Sequence, residues 1–143
     1  MSRLVQANGD DHPEAAAKHL TDCKTLQAQG RSDGAGYLAG YVIECCLKTL
    51  IIVDRQPPER IHVLGRLGGE ALRLASLPSS RTARYAPWHH AAHPVYDAAN
   101  GWTEQLRYRP SGQLPHALAQ QWVDEAEHVF SRTIVPLKLD GLV

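Results

Sequence analysis

The sequence predicts an all-α protein, an up-and-down bundle of about four main helices with a long loop before the last helix. Three observations support this fold class. Apolar residues recur at helical spacing in four segments, proline and glycine separate these segments, and no segment shows the steady alternation of a β-strand. The 143 residues, of which 43% are hydrophobic and 21% charged, fit a single domain with its own core.

The first helix is predicted from about 13 to 29, after a loose N-terminus at residues 1–11. Pro13 and Glu14 suit the first turn of a helix, and the alanines that follow favour its continuation. Gly30 ends the segment. Three apolar residues of this segment recur at helical spacing: Ala16, Leu20 and Cys23.

The second helix is predicted from about 33 to 53 and is apolar nearly all round, which is typical of the central helix of a bundle. One narrow stripe of it is aromatic or charged and contains Tyr37, Tyr41, Glu44 and Lys48. Glu44 precedes Lys48 by four residues, the favourable order for a helical ion pair. Two interpretations of this stripe stay open. Either the pair alone satisfies the two charges, or Glu44 also orients an arginine or a ring from the long loop.

A third helix is predicted from about 63 to 77 and the last one from about 113 to 132, with Pro115 in its first turn and Pro136 beyond its end. The intervening segment 78–112 is rich in proline, aromatic residues, histidine and arginine. Loops of this length usually carry function or short helices of their own, so we expect functional residues there.

Composition excludes some classes of protein. A formal net charge of zero argues against general, salt-driven coating of nucleic acid, although a local basic patch stays open. The three cysteines, two of them the adjacent core residues Cys45 and Cys46, do not form a disulfide framework, which indicates a cytoplasmic protein. The longest apolar run, residues 41–53, is too short to span a membrane and carries two charges.

Part of the chain resembles a known family. AGYLAGYVIECCLKTLI, residues 35–51, resembles the second helix of the HEPN domain family (higher eukaryotes and prokaryotes nucleotide-binding domain). The preceding HPEAAAKHLTDCKTLQAQGRSDGAGY resembles the first helix and turn of that family. Residues 61–64, followed by Leu67, resemble its His-x-Leu entry to the third helix. The resemblance covers roughly residues 13–77, and the rest of the chain only by helix order.

The resemblance implies a small helical bundle that pairs as a homodimer and needs no cofactor. Many members of the family are metal-independent ribonucleases of toxin–antitoxin and antiviral systems. Others bind nucleotides or assist a partner nucleotidyltransferase. The ribonuclease members carry an arginine, four to six residues and then a histidine near the start of the last long helix, and two such motifs face each other across the dimer.

Four Arg–His pairs have this spacing: Arg55–His62, Arg84–His89, Arg84–His90 and Arg109–His116. Chance alone would give roughly two, so position decides between them. Arg109 and His116 lie just before the last helix, but the segment reads RPSGQLPH, with Pro110 where the family usually has a polar residue. Arg84 and His89 are the alternative motif. In either pair, histidine would act as the base and arginine would hold the phosphate.

The segment LRYRP, residues 106–110, predicts a phosphate-binding surface. If it is extended, Leu106 and Tyr108 face inward while Arg107 and Arg109 face outward. With Trp102 and Tyr108 nearby, the two arginines suit phosphate binding and base stacking. The alternative is that acidic residues pair with these arginines: Glu44, Glu104 or Asp97.

No metal site is predicted, although His89, His90, His93 and Asp97 are ligands by type, because Pro94 interrupts the spacing and no cysteine is near.

Three functions therefore remain. A nucleotide- or RNA-binding accessory domain, with an antitoxin or nucleotidyltransferase as partner, needs free arginines near an aromatic ring. A metal-independent endoribonuclease needs Arg109 and His116 to converge across a dimer. A structural interaction module needs every arginine already paired.

Overall fold

A computed structural model describes residues 1–85 and 93–143, and these two stretches contain helices and turns but no strand. The five α-helices are α1 (His12–Ala28), α2 (Ser32–Val53), α3 (Leu64–Ala75), α4 (His116–Arg132) and α5 (Ile134–Leu139). Three short 3-10 helices lie at Ala83–Tyr85, Pro94–Tyr96 and Glu104–Tyr108. The predicted all-α class is confirmed, as is the order of the four main helices.

The start of α1 is fixed by Asp11. Its side chain accepts a hydrogen bond from the backbone N–H of Glu14 at 3.4 Å, which satisfies one of the free donors of the first turn. Asp11 also accepts a hydrogen bond from the backbone N–H of Ser2 at 2.7 Å, and Arg3 donates to the carbonyl of Gly141 at 2.8 Å. The N-terminal segment, predicted to be loose, is therefore tied both to α1 and to the C-terminus.

The central helix is α2, which packs against α1, α3 and α4. Its 22 residues make it long and apolar enough to cross a membrane, with a mean hydropathy of 1.6 over its most apolar window. However, 78% of that window is buried inside the protein. Packing within the bundle thus accounts for the apolar character of α2, as predicted for a central helix.

The helix α4, predicted as the last one, begins later than predicted, at His116. Pro115 is its N-terminal cap and does not lie in its first turn. Asp33 explains the difference. Its carboxylate accepts hydrogen bonds from three consecutive backbone N–H groups, those of Gly112 at 2.6 Å, Gln113 at 3.1 Å and Leu114 at 2.9 Å. These bonds hold the chain in a turn where the sequence predicted the start of the helix.

The helix α5 was not predicted. Pro136 lies beyond the end of α4, as predicted, but it is part of α5, because proline is compatible with the first turn of a helix. Thr133 separates the two helices with φ −118° and ψ −76°, and its hydroxyl donates to the carbonyl of Val129 at 2.7 Å. The buried side chains of Ile134 and Leu137 join α5 to the core.

The segment around Arg107 is a 3-10 helix, Glu104–Tyr108, and not the predicted extended chain. The hydroxyl of Thr103 caps it by accepting a hydrogen bond from the backbone N–H of Gln105 at 3.3 Å. Leu106 packs against the core, as expected. Tyr108 was predicted to face inward, but it is 72% exposed, since the helical turn replaces the alternation of a strand.

Candidate functional site

The centre of the candidate site is a buried ion pair on α2. Glu44 is 4% exposed and Lys48 is 7% exposed, and Lys48 Nζ donates to Glu44 Oε1 at 2.8 Å. The predicted pair is thus confirmed. Because both groups are out of water, each depends on the other to offset the free energy of its desolvation.

Glu44 also orients a histidine. Its second oxygen, Oε2, is 2.9 Å from Nδ1 of His62, which lies in the segment that leads into α3. The sequence had suggested an arginine or a ring from residues 78–112 as the second partner of Glu44. Among the described residues, the partners of its two carboxylate oxygens are instead Lys48 and His62, and neither lies in that segment.

An aromatic cluster lies beside the ion pair, with Tyr41 at its centre. Its ring centroid is 5.2 Å from that of Tyr37, 5.0 Å from Trp102, 5.9 Å from His19 and 6.1 Å from His62. The hydroxyl of Tyr37 donates to that of Tyr41 at 3.3 Å. Burial raises the pKa of Tyr41, so its phenol stays protonated. The cluster joins α1, α2 and the entry to α3.

Trp102 supports the site and does not form its surface. The indole is 6% exposed, and its Nε1 donates to the backbone carbonyl of Tyr37 at 2.8 Å. The prediction that Trp102 would offer a face for base stacking is therefore wrong. Its buried ring instead fixes the chain just before Glu104–Tyr108 against α2.

Arg107 and Tyr108 form an exposed arginine–aromatic pair, with the guanidinium carbon 4.8 Å from the centroid of the ring. The neighbouring phenols of Tyr108 and Tyr37 raise the pKa of Arg107. Arg109, likewise exposed, lines a small cleft of about 110 Å³ together with Asp33. We call Arg107, Tyr108 and Arg109 the arginine surface.

In the described parts of the chain, neither arginine of this surface forms an ion pair with a carboxylate. The three acids suggested as partners are engaged elsewhere. Glu44 bonds to Lys48 and His62, Glu104 accepts from Thr103 and Gln105, and Asp97 accepts from the backbone of Ala99 and Asn100. The arginines are therefore free to bind an external anion.

The structure does not bring Arg109 and His116 together within one chain. His116 is exposed, and its ring Nδ1 is 3.1 Å from the hydroxyl of Ser32 and 3.3 Å from Nε2 of Gln27. It lines an open cleft of about 460 Å³ beside α1, whereas Arg109 lines the smaller cleft near Asp33. No hydrogen bond joins the two side chains in the described ranges.

The histidine of the alternative motif, His89, lies outside the described residues, as does His90. Its arginine, Arg84, pairs with Asp140 at 3.1 Å. Two of the four candidate metal ligands, His93 and Asp97, lie in the described part of the chain. His93 accepts a hydrogen bond from the backbone N–H of Val95, and Asp97 accepts one from the backbone N–H of Asn100. Residues 1–85 and 93–143 contain no group of three potential ligands that could hold a metal ion.

Three histidines lie near the ion pair, a position that the sequence did not predict for any of them. His12 and His19, seven residues apart on α1, lie on one face of that helix, a spacing that could have been noticed. Burial lowers the pKa of both, which favours their neutral form. The role of His62 had no comparable local signal, because its partner is 18 residues away.

Comparison with known proteins finds no matching family model, no similar curated protein and no similar solved structure. The all-α fold therefore stands on the structure alone, and the resemblance to the HEPN family stays a prediction.

Proposed function

We propose that this chain is a HEPN-like accessory domain that binds the phosphate and base of a nucleotide or of RNA through the arginine surface. The observation that carries the proposal is the pair of exposed, carboxylate-free arginines, one of which lies against an exposed tyrosine ring. The planar guanidinium matches phosphate oxygens in a bidentate manner, and an exposed aromatic ring can stack on a base.

The packing beneath this surface favours binding with a defined geometry. Trp102 and the capped 3-10 helix fix the backbone of Arg107 against α2, so fewer degrees of freedom are lost when a ligand binds. A purely structural module would have its arginines paired, as Arg66 is with Glu59 and Arg73 is with Glu70. Arg107 and Arg109 differ from that pattern, and Arg107 differs from the other unpaired arginines because it lies against an exposed tyrosine ring.

The HEPN resemblance extends this proposal to the assembly. On that basis, the domain acts in the cytoplasm as a homodimer and serves a partner, a nucleotidyltransferase or an antitoxin, in a toxin–antitoxin or defence system. Its part in such a complex is to hold a nucleotide or an RNA phosphate, with no metal and no cofactor of its own.

The test is a titration of the purified protein with a short fluorescent single-stranded RNA and, separately, with ATP. Replacing Arg107 or Arg109 by alanine should weaken binding about tenfold, equivalent to about 1.4 kcal/mol, and should reduce the salt dependence of the affinity. Tyr108→Ala should weaken RNA binding while leaving the salt dependence unchanged, because stacking releases no counterions.

Arg73→Ala is the matched control, since it removes the same charge from an exposed arginine that is paired with Glu70. It should bind RNA as the parent protein does. If Arg73→Ala weakens binding as much as Arg107→Ala, the interaction is general charge attraction and the arginine surface is not the site. Absence of RNA and nucleotide binding by the folded parent protein would also overturn the proposal.

A further inference from the structure

A further cleft lies near the N-terminus, lined by a different set of residues from the arginine surface. Its volume is about 310 Å³, in the range of sites for small ligands. Three basic side chains from three parts of the chain line it: His12 from α1, Lys48 from α2 and Arg60 from the turn before α3. Pro57 and Pro58 form part of its wall and restrict the backbone there. We call it the Lys48 cleft.

Lys48 has N–H donors that no described residue uses. Its ammonium group carries three N–H donors, and Glu44 is its one hydrogen-bond partner among the described residues. Since Lys48 is only 7% exposed, the remaining donors belong to a group that is mostly withdrawn from water. Buried donors are normally satisfied, so the ammonium is suited to an acceptor that enters the cleft.

His12 and Arg60 supply further donors. Burial, and then the charge of Lys48, lower the pKa of His12, while Asp10 and Glu44 act in the opposite direction. A neutral imidazole can donate one hydrogen bond to an anion without adding a third charge to the cleft. Arg60 is exposed and has no carboxylate partner in the described residues, so its guanidinium is available for an anion.

Two acidic residues also line the cleft, and both are exposed side chains with other partners. Glu59 pairs with Arg66 at 2.8 Å, and Asp10 accepts a hydrogen bond from the amide of Asn8 at 2.8 Å. Arg66 offsets the charge of Glu59, whereas Asp10 keeps its charge at the exposed rim, so the less exposed part of the cleft is lined by Lys48 and His12. The buried groups therefore offer donors, and the matching ligand chemistry is an acceptor with several oxygens.

We propose that the Lys48 cleft is a binding site for a compact oxyanion, the phosphate or carboxylate group of a small polar molecule, held by Lys48 and Arg60 with His12 as an additional hydrogen-bonding group. The inference goes beyond the proposed function, because this site shares no residue with the arginine surface. This site would give the domain a second ligand, a small molecule bound beside Lys48.

The experiment is a nuclear magnetic resonance titration of the folded full chain with inorganic phosphate and, separately, with acetate, at constant ionic strength. The ring signals of His12 and the side-chain signals of Arg60 should move saturably with one or both anions, and the anion that binds more tightly identifies the head group. Chloride at the same ionic strength should not move them. Arg60→Ala should weaken the binding seen at His12 about fivefold, because it removes one charged hydrogen-bonding partner.

Arg60 is the residue replaced in this test, because its removal leaves the buried ion pair intact, whereas removal of Lys48 would destabilise the fold. Arg73→Ala, with the same loss of charge elsewhere, should leave the titration unchanged. An Arg107→Ala/Arg109→Ala double variant should also leave the His12 response unchanged, which separates this site from the arginine surface. If neither anion moves the His12 signals saturably, or if Arg60→Ala binds like the parent protein, the proposal is wrong.

Discussion

Trp102 packs directly against Gly40, and its indole occupies the space that a side chain at this position of α2 would need. Its Nε1 also donates to the carbonyl of Tyr37, one turn earlier on the same helix. The absence of a Cβ at Gly40 thus allows the segment before Glu104–Tyr108 to lie flat on the central helix. Through this contact, the position of Arg107 depends on a glycine that is distant from it in sequence.

Gly40→Ala should therefore destabilise the protein. The added methyl group overlaps the buried indole, and overpacking of this kind costs about 1–3 kcal/mol, more than the helix propensity of about 1 kcal/mol that alanine gains. Urea unfolding followed by circular dichroism measures the change. Gly69→Ala in α3 is the control, because a Cβ there meets nothing within 4 Å and should stabilise by about 0.5–1 kcal/mol. Equal stability of the two variants would contradict the tight contact.

Lys48→Met should cost about 3 kcal/mol of unfolding free energy. The side chains of Lys48 and Glu44 are only 9% and 5% exposed, so removing the ammonium leaves a buried carboxylate without its charge partner. A Glu44→Gln/Lys48→Met double variant should recover part of the loss, since the amide of glutamine carries no charge. A double-mutant cycle in urea measures the coupling.

Lys24→Met is the control for the buried pair. The side chains of Lys24 and its partner Glu127 are 49% and 48% exposed, and such surface pairs contribute at most about 1 kcal/mol. If Lys48→Met lowers the free energy of unfolding no more than Lys24→Met does, water reaches the Glu44–Lys48 pair.

The hydrogen bonds to Asp33 should make stability depend on pH. Donation from the backbone N–H groups of Gly112 and Leu114 lowers the pKa of Asp33 below its ordinary value of 3.8. A carboxyl group whose pKa is lowered by folding contributes stability above its unfolded pKa and loses it as the pH falls through the folded pKa. Asp33→Asn should therefore lose about 1 kcal/mol at neutral pH, and its deficit should shrink below about pH 4.

Urea unfolding of the parent protein and of Asp33→Asn across this acidic range measures the deficit. Asp22→Asn, which removes a charge from the exposed face of α1, is the control and should show no such deficit at neutral pH. A deficit for Asp33→Asn that is the same at every pH would mean that the charge of Asp33 plays no part in holding the turn before α4.

Local patterns of the sequence predicted α2 and its ion pair, because helical periodicity and an i, i+4 pair depend only on nearby residues. The contact between Glu44 and His62 depends on how the chain returns after α2, which no local pattern encodes. The 3-10 helix at Arg107 was missed for a different reason. Pro110 restricts only the residue before it, while the cap at Thr103 decides the conformation of the preceding turn.

We expect any metal-independent cleavage of RNA by this protein to require a dimer, since Arg109 and His116 line different clefts within one chain. General acid–base catalysis requires the base within hydrogen-bonding reach of the reacting hydroxyl, with the phosphate held beside it. Incubation of single-stranded RNA with the parent protein in chelator, followed on a gel, measures this. Cleavage that is lost in both Arg109→Ala and His116→Ala, and retained in Arg73→Ala, would show that the two residues meet across a dimer. In that case the arginine surface would be half of a ribonuclease site and not a binding site alone.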